Sequence, residues 1–428
     1  MSRKSNLPTL LLALATMTMV PEVASSQVPL TPRSLGMGGA LDAAARGHEA
    51  IFLNPANLAL PDSPDWSVAL AGISAAAKLE GVDLDEVVDL FGYEDLSDAE
   101  RADLLAEIPA TGVRGKVDVR APVAAVQVGP FGLGAAFVTL GDHGISRDMV
   151  ELFLNGYEEG RTNYSVDTTR GQRVSLWDVA VAYGANAGPV TVGVTGHLLL
   201  GGVLVRTFTA DPQIDLVRNE IDVGYRGLRS TGGSGMALDF GAAYQPLRSV
   251  TLSAAVTGAY SRLDWSDDVR VRELTLTRED FDNREGLSDF IERYEESERA
   301  LQPEDEALLG VSATEFLQAG SELPTRATLG VAWQPTPSTD FVASYSDDLT
   351  EGRLGGDWTR RLGVGFEHRF WLVALRAGAA TDADEERMLT GGLSVGPVNL
   401  GIARLTGGGD AGDHVGWVGV FGLSTSVH

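Results

Sequence analysis

Beyond residue 65, large apolar residues alternate with small or polar ones along most of the chain. Val190, Val192, Val194, Leu198 and Leu200 fall on one face, and Thr191, Gly193, Thr195 and His197 fall on the other. The same rhythm recurs in Met236, Leu238, Phe240, Ala242 and Tyr244, and again in Leu362, Val364, Phe366 and Phe370. A period of two is that of a β-strand, because successive side chains point to opposite faces. Even the glycine-containing apolar stretch 188–205 therefore reads as strand and not as a membrane-crossing helix. The pattern predicts strands near 66–78, 121–128, 131–141, 173–187, 189–205, 234–245, 249–262, 325–334, 339–346, 359–369, 371–381, 388–395, 398–405 and 414–427.

One apolar and one polar face would suit either a soluble sandwich or a membrane barrel, and the connections decide between them. Short turns (Gly129-Pro130, Gly188-Pro189, 246–249, 335–338, near Phe370-Trp371 and Gly396-Pro397) alternate strictly with longer or more polar links. The long links lie near 79–120, 142–172, 206–233, 263–324, 347–358, 382–387 and 406–413. An even number of antiparallel strands with short turns at one rim and long loops at the other is the pattern of an outer-membrane barrel. Most of these segments also match the ~9–11 residues that cross a bilayer when tilted. The expected fold is all-β: a transmembrane antiparallel β-barrel of about 14 strands, with both barrel ends on the periplasmic side. Two long links carry helical signals. Ser97 to Glu100 forms a capping box ahead of Leu104, Leu105 and Ile108, and Leu287, Phe290, Ile291 and Tyr294 make an i, i+3, i+4, i+7 stripe. These predict partly helical extracellular loops packed on one another.

Composition sharpens this picture. Glycine is 51 of 428 residues, about 12% against roughly 7% in ordinary proteins, which disfavours a helical core. Lys+Arg 33 against Asp+Glu 59 gives a net charge of −26, which excludes a nucleic-acid binder. There is no cysteine, so disulfides, thiolate nucleophiles, zinc ribbons, iron–sulfur clusters and an acylated-cysteine anchor are all excluded. Residues 1–26 read as a signal peptide, with Arg3 and Lys4, an apolar run from Leu10 to Val20, and small Ala24 and Ser26 before Gln27.

Catalytic and metal motifs are missing. Gly407 to Gly412 formally matches GxGxxG, but a strand follows it where a dinucleotide site needs a helix. No GxSxG, HExxH, P-loop or EF-hand pattern occurs, and the six histidines are scattered. His197 or His414, if lumen-facing beside a serine, would be the candidates for hydrolysis; satisfied or solvated histidines are the simpler expectation. The acidic tips 264–268 and 382–386 read as solvated. The expectation is that the protein is not an enzyme and uses no cofactor or metal.

The most informative segment precedes the first strand. It runs Pro32-Arg33-Ser34-Leu35-Gly36-Met37-Gly38-Gly39-Ala40, then Ala50-Ile51-Phe52-Leu53-Asn54-Pro55-Ala56-Asn57-Leu58. Clustered glycines allow close backbone approach, and Pro55 restrains Asn54 to an extended or turn conformation, so a compact irregular element is expected. This block resembles the N-terminal signature of the FadL/TodX and PorV-like outer-membrane β-barrels, and the run from Leu362 through Ala403 is similar to their final hairpins. The resemblance implies a 14-stranded barrel (66–428) with residues 27–65 folded into the lumen as a plug. It carries over Gly36, Gly38, Gly39, Asn54, Pro55 and Ala56 as plug-motif positions, with the Asn-Pro-Ala segment influencing passage. It further implies passive uptake of hydrophobic small molecules in the bacterial outer membrane, with lipid and a hydrophobic ligand as partners. The alternative is a structural or partner-binding barrel of the PorV-like type, in which the long acidic loops, 263–324 among them, hold an envelope or secretion protein.

Overall fold

A computed structural model describes residues 31–81, 97–265, 267–283, 287–319, 323–350, 360–382, 386–407 and 414–427; the expected signal peptide and most of the 407–412 glycine run lie outside them. Fourteen strands form the barrel: β1 (Trp66–Glu80), β2 (Val113–Val128), β3 (Phe131–Ile145), β4 (Arg170–Ala187), β5 (Val190–Thr209), β6 (Ser234–Leu247), β7 (Val250–Asp264), β8 (Arg326–Thr336), β9 (Thr339–Asp348), β10 (Arg360–Phe370), β11 (Val373–Asp382), β12 (Arg387–Val395), β13 (Val398–Gly407) and β14 (His414–Val427). Each is antiparallel to its sequence neighbours, and β1 pairs with both β2 and β14, closing the ring. Closure leaves no open sheet edge to face hydrocarbon, where nothing could satisfy its N–H and C=O groups. Among the described residues, no helix is long and apolar enough to cross a membrane.

The alternation resolves with the large apolar face outward. On β5, Val192, Val194, Leu198 and Leu200 are exposed while Thr191 and Thr195 are buried in the interior. Met236, Leu238 and Phe240 on β6 likewise point out, and Ala237, Asp239 and Ala243 point in. Outward aromatics gather near the two rims of this apolar belt. Trp66, Phe131, Tyr183, Tyr244, Trp333 and Phe370 lie near the short turns, and Trp177, Tyr260, Tyr345 and Trp417 lie towards the long loops. These are the girdles expected where lipid meets water.

Several strands run past the belt, which revises the expected loop limits. β1 continues to Glu80 and β2 begins at Val113, so the two ends of the expected 79–120 loop are strand. The 206–233 link is also sheet: β5 extends to Thr209, and Glu220–Thr231 pairs with β5 and with Arg270–Thr277. These residues read as polar loop because the extension stands in water, where outward side chains need not be apolar. The capping box at Ser97 forms and opens a helix, Asp98–Glu107. Leu287–Glu296 is a helix too; the side chains of Leu287, Phe290 and Ile291 lie outside the described residues. A second core packs Met149, Leu152, Tyr157, Tyr164, Ile221, Val223, Phe281 and Tyr294. The described parts of the links 142–172, 206–233 and 263–324 thus form a folded cap, pinned by ion pairs such as Arg299–Asp305 at 2.7 Å. The Arg299 hydrogen bond holds the Asp305 carboxyl below the usual carboxylate range.

Because Val194 lies near the middle of the lipid-facing belt, Val194→Arg should cost about 2–4 kcal/mol of folding free energy. The inward neighbour Thr195→Val, which loses one hydrogen bond, should cost about 0.5–1.5 kcal/mol. Urea titration of the barrel refolded into lipid vesicles measures both, and equal costs would contradict the assigned faces.

Candidate functional site

Residues 31–65 lie inside the ring as a chain of short helical turns. Pro32–Gly36 is capped by Thr31, whose hydroxyl accepts from Ser34 N at 3.1 Å. Pro55–Ala59 is capped by Asn54, whose Oδ1 accepts from Ala56 N at 3.1 Å. Part of the glycine excess finds its reason here, because the segment rests directly on glycines of the inner wall. A Cβ on Gly193 would lie 2.3 Å from the Pro55 carbonyl carbon and 2.4 Å from Ala56 N, and one on Gly241 would lie 2.0 Å from Asn54 Oδ1. Met37 sits on Gly365 and Gly378 in the same way. Gly38 adopts φ +66° with the Val364 and Ala379 carbonyls 2.5 and 2.6 Å from where a Cβ would stand, so both its conformation and its surroundings require glycine.

Specific polar contacts add to this packing. Asn54 Nδ2 donates to the carbonyls of Ala242 and Ala254 at 3.2 and 3.3 Å. Thr195 donates to Ile51 O at 2.8 Å. Thr390 donates to Gly36 O at 3.2 Å and accepts from Gly38 N at 3.1 Å. The strongest tie is ionic. Arg33 donates to Glu49 (3.1 Å), Glu367 (3.1 Å) and Asp340 (3.4 Å), and Glu367 also binds Arg376 at 2.5 Å and Arg369 at 2.6 Å. Glu367 is 0% exposed, and a buried carboxylate needs such partners to remain charged. Arg33 stands inside the glycine motif, yet the sequence holds no sign that its partners lie on β9 and β10.

The inward charged residues also pair across strands. Asp178 on β4 and Asp239 on β6 hold His197 on β5 from both sides, at 2.9 and 3.0 Å. The other Asp239 oxygen accepts from Gly258 N at 2.7 Å, at a bulge in β7. His197 therefore faces two carboxylates and not the serine that hydrolysis would need, and it serves as a cross-strand clamp. The side chain of His414 lies outside the described residues. Arg326 pairs with Asp348 at 2.5 Å. Among the described residues, no group of three or more His, Asp or Glu is arranged to hold a metal.

A cavity of about 780 Å³ extends from the short turns, near Arg248, Pro337, Trp371 and Gly396, up into the barrel. Its lower part is charged by Arg33, Arg46, Glu49, Asp340 and Glu367, while its upper corner is apolar, with Phe52, Ala69, Ala125 and Ala136. That corner reaches an interruption in the wall. β1 and β2 pair from Trp66↔Val128 to Leu70↔Ala124 and resume at Ser74↔Arg120, leaving Ala71–Ile73 and Ala121–Val123 unpaired across this seam. Ala71 has φ 58°. Pro122 has no N–H to give to a ladder, which is why proline inside a strand marks a bulge or an edge. Ala71, Gly72 and Pro122 all line the cavity. The expected strand 121–128 puts Pro122 beside its start, where a proline costs no ladder bond, whereas the observed strand begins at Val113 and puts Pro122 in its middle.

These features define a transmembrane β-barrel whose interior holds its own N-terminal segment and whose wall is interrupted beside a cavity. Solved structures share this fold. The P. putida toluene transporter TodX is 14% identical, with 93% of this chain and 98% of that chain covered at a TM-score of 0.51. A Pseudomonas aeruginosa FadL homologue is 13% identical, with 95% and 99% covered at 0.52. The CymD monoaromatic hydrocarbon channel is 14% identical, with 95% and 99% covered at 0.51. At such identities the likeness establishes the FadL/TodX fold alone. A family of unknown function, DUF5723, matches residues 205–403. No curated protein matches the sequence.

Two substitutions test how the segment is held. In Gly193→Val the added carbons meet backbone that cannot step aside, so the segment should be displaced and cut by protease under conditions that spare the parent. Arg33→Met takes the cation from Glu49, which keeps only the Thr31 hydroxyl, while Asp340 keeps Arg369 and Glu367 keeps Arg369 and Arg376, so the seated segment should be destabilised by about 1.5–3 kcal/mol. Amide hydrogen exchange over 31–60 measures the second effect, and unchanged protection would show the ionic tie to be unimportant.

Proposed function

We propose that the protein is a passive outer-membrane channel for hydrophobic small molecules, with residues 31–65 acting as a plug and the β1–β2 seam as a side exit. The observation that carries this reading is the seam itself, an apolar corner of the cavity meeting unpaired wall. An apolar molecule in the lower cavity would face Arg33, Glu49 and Glu367, a costly path because apolar surface gains nothing among charges. Leaving through the wall would instead deliver it into hydrocarbon. Unpaired backbone at membrane depth is tolerated where it lines a cavity, which fits a functional opening better than a folding defect. The fold neighbours described as a toluene transporter and a monoaromatic hydrocarbon channel support an apolar cargo. In this reading Asn54, Pro55 and Ala56 anchor the plug to β5, β6 and β7, and Gly36, Gly38 and Gly39 let it lie against β10 to β12.

Two experiments probe the parts separately, with uptake of radiolabelled toluene by outer-membrane-intact cells as the readout. Deleting Gly36 to Ala56 should abolish saturable uptake and raise nonspecific permeability; saturable uptake that survives the deletion would sink the plug role. A Gly72→Cys/Pro122→Cys pair supplies the chain's only thiols, and a Cβ on Gly72 would lie 3.0 Å from the Pro122 ring. Oxidation should staple the seam and lower uptake, and reduction should restore it. Equal uptake in both states would remove the side exit.

A further inference from the structure

We infer that Phe52 sets the size limit of the apolar molecules that pass this barrel; the inference rests on the channel reading and adds the residue that selects. The ring stands where the cavity stops. It lines the apolar corner beside Ala125 and Ala136, and Ala136 belongs on its other side to the packed outer core with Val138, Leu140, Val174 and Trp265. Phe52 thus lies on the boundary between the closed outer half of the lumen and the space beside the seam. Of the other aromatic residues lining the cavity, Trp371 is in an exposed turn and Phe421 is exposed on β14. His48 is set lower, its backbone N–H donating to Ser67 at the base of β1.

The local structure holds the ring in one place. Ile51 and Phe52 rest on Gly132 and Gly134 of β3: a Cβ on Gly134 would lie 2.6 Å from Phe52 Cζ, and one on Gly132 would lie 2.5 Å from Ile51 Cγ1. Thr195 fixes the Ile51 carbonyl and Asn54 fixes the following turn, so the backbone on both sides of Phe52 is anchored. The ring's far neighbour is His197, with centroids 6.4 Å apart and planes at 48°. That imidazole is clamped by Asp178 and Asp239 and cannot swing away without breaking two hydrogen bonds. A rigid aromatic ceiling of this kind admits flat single-ring molecules along its face and obstructs bulkier ones.

The test compares uptake of toluene and of 1-methylnaphthalene by outer-membrane-intact cells making the full-length protein or its variants, with heat-modifiable electrophoretic mobility confirming folded barrels. Phe52→Ala should raise the naphthalene-to-toluene uptake ratio by about tenfold, the scale on which hydrophobic pockets discriminate size, with Phe52→Leu in between. Gly134→Val, which drives the ring into the cavity, should lower uptake of both. A folded Phe52→Ala protein with the parental ratio would overturn the assignment to Phe52 while leaving the channel intact. Parental cells that take up neither compound above cells lacking the protein would instead overturn the channel reading on which the inference rests.

Discussion

Backbone hydrogen bonding in hydrocarbon is the constraint from which the rest of this structure follows. A strand in a bilayer has no water for its N–H and C=O groups, so each must pair with a neighbour, and the last strand must pair with the first. Closing fourteen strands satisfies that demand through the β1–β14 ladder and leaves an interior wider than wall side chains alone fill. The N-terminal segment occupies part of that interior. Glycine on the inner wall lets it lie against backbone, and its own buried polar groups then find partners in strand carbonyls, threonine hydroxyls and Glu367. The seam between β1 and β2 departs from the pairing rule. It occurs where a proline removes a donor and where a cavity lies behind the wall.

The interior charges act as fixed clamps and not as a reactive constellation. Arg33 with Glu49, Asp340 and Glu367 fastens the segment to β9 and β10, while Asp178, His197 and Asp239 tie β4, β5 and β6 and reach the β7 bulge. Because desolvating each charge offsets much of the attraction between partners, such groups give rigidity at little net gain in stability. Rigidity suits a selective passage: Phe52 lies between anchored backbone and a clamped imidazole, and its position is set by both.

The barrel was legible in the chain because lipid imposes a local rule. Every second residue facing hydrocarbon must be apolar, whatever the distant partners are, and the predicted strands within the belt fall within a few residues of those observed at nearly every boundary. The rule fades where strands rise into water, which is why 206–233 read as loop although it is sheet. The N-terminal block was legible as compact and irregular for a similar local reason, since Gly38, Gly39 and Pro55 limit their own backbones.

Short-range periodicity therefore carries the strand number, the alternation along each strand, the capping box at Ser97 and the helical stripe from Leu287. Folding in three dimensions settles which strand face meets lipid residue by residue, that Arg33 meets Glu367 across 334 positions, and that His197 faces two carboxylates and not a serine. It also sets the interruption of the wall at Pro122 on the same cavity as Phe52. These depend on barrel closure, which brings distant strands to one radius, and no pattern along the chain encodes that radius.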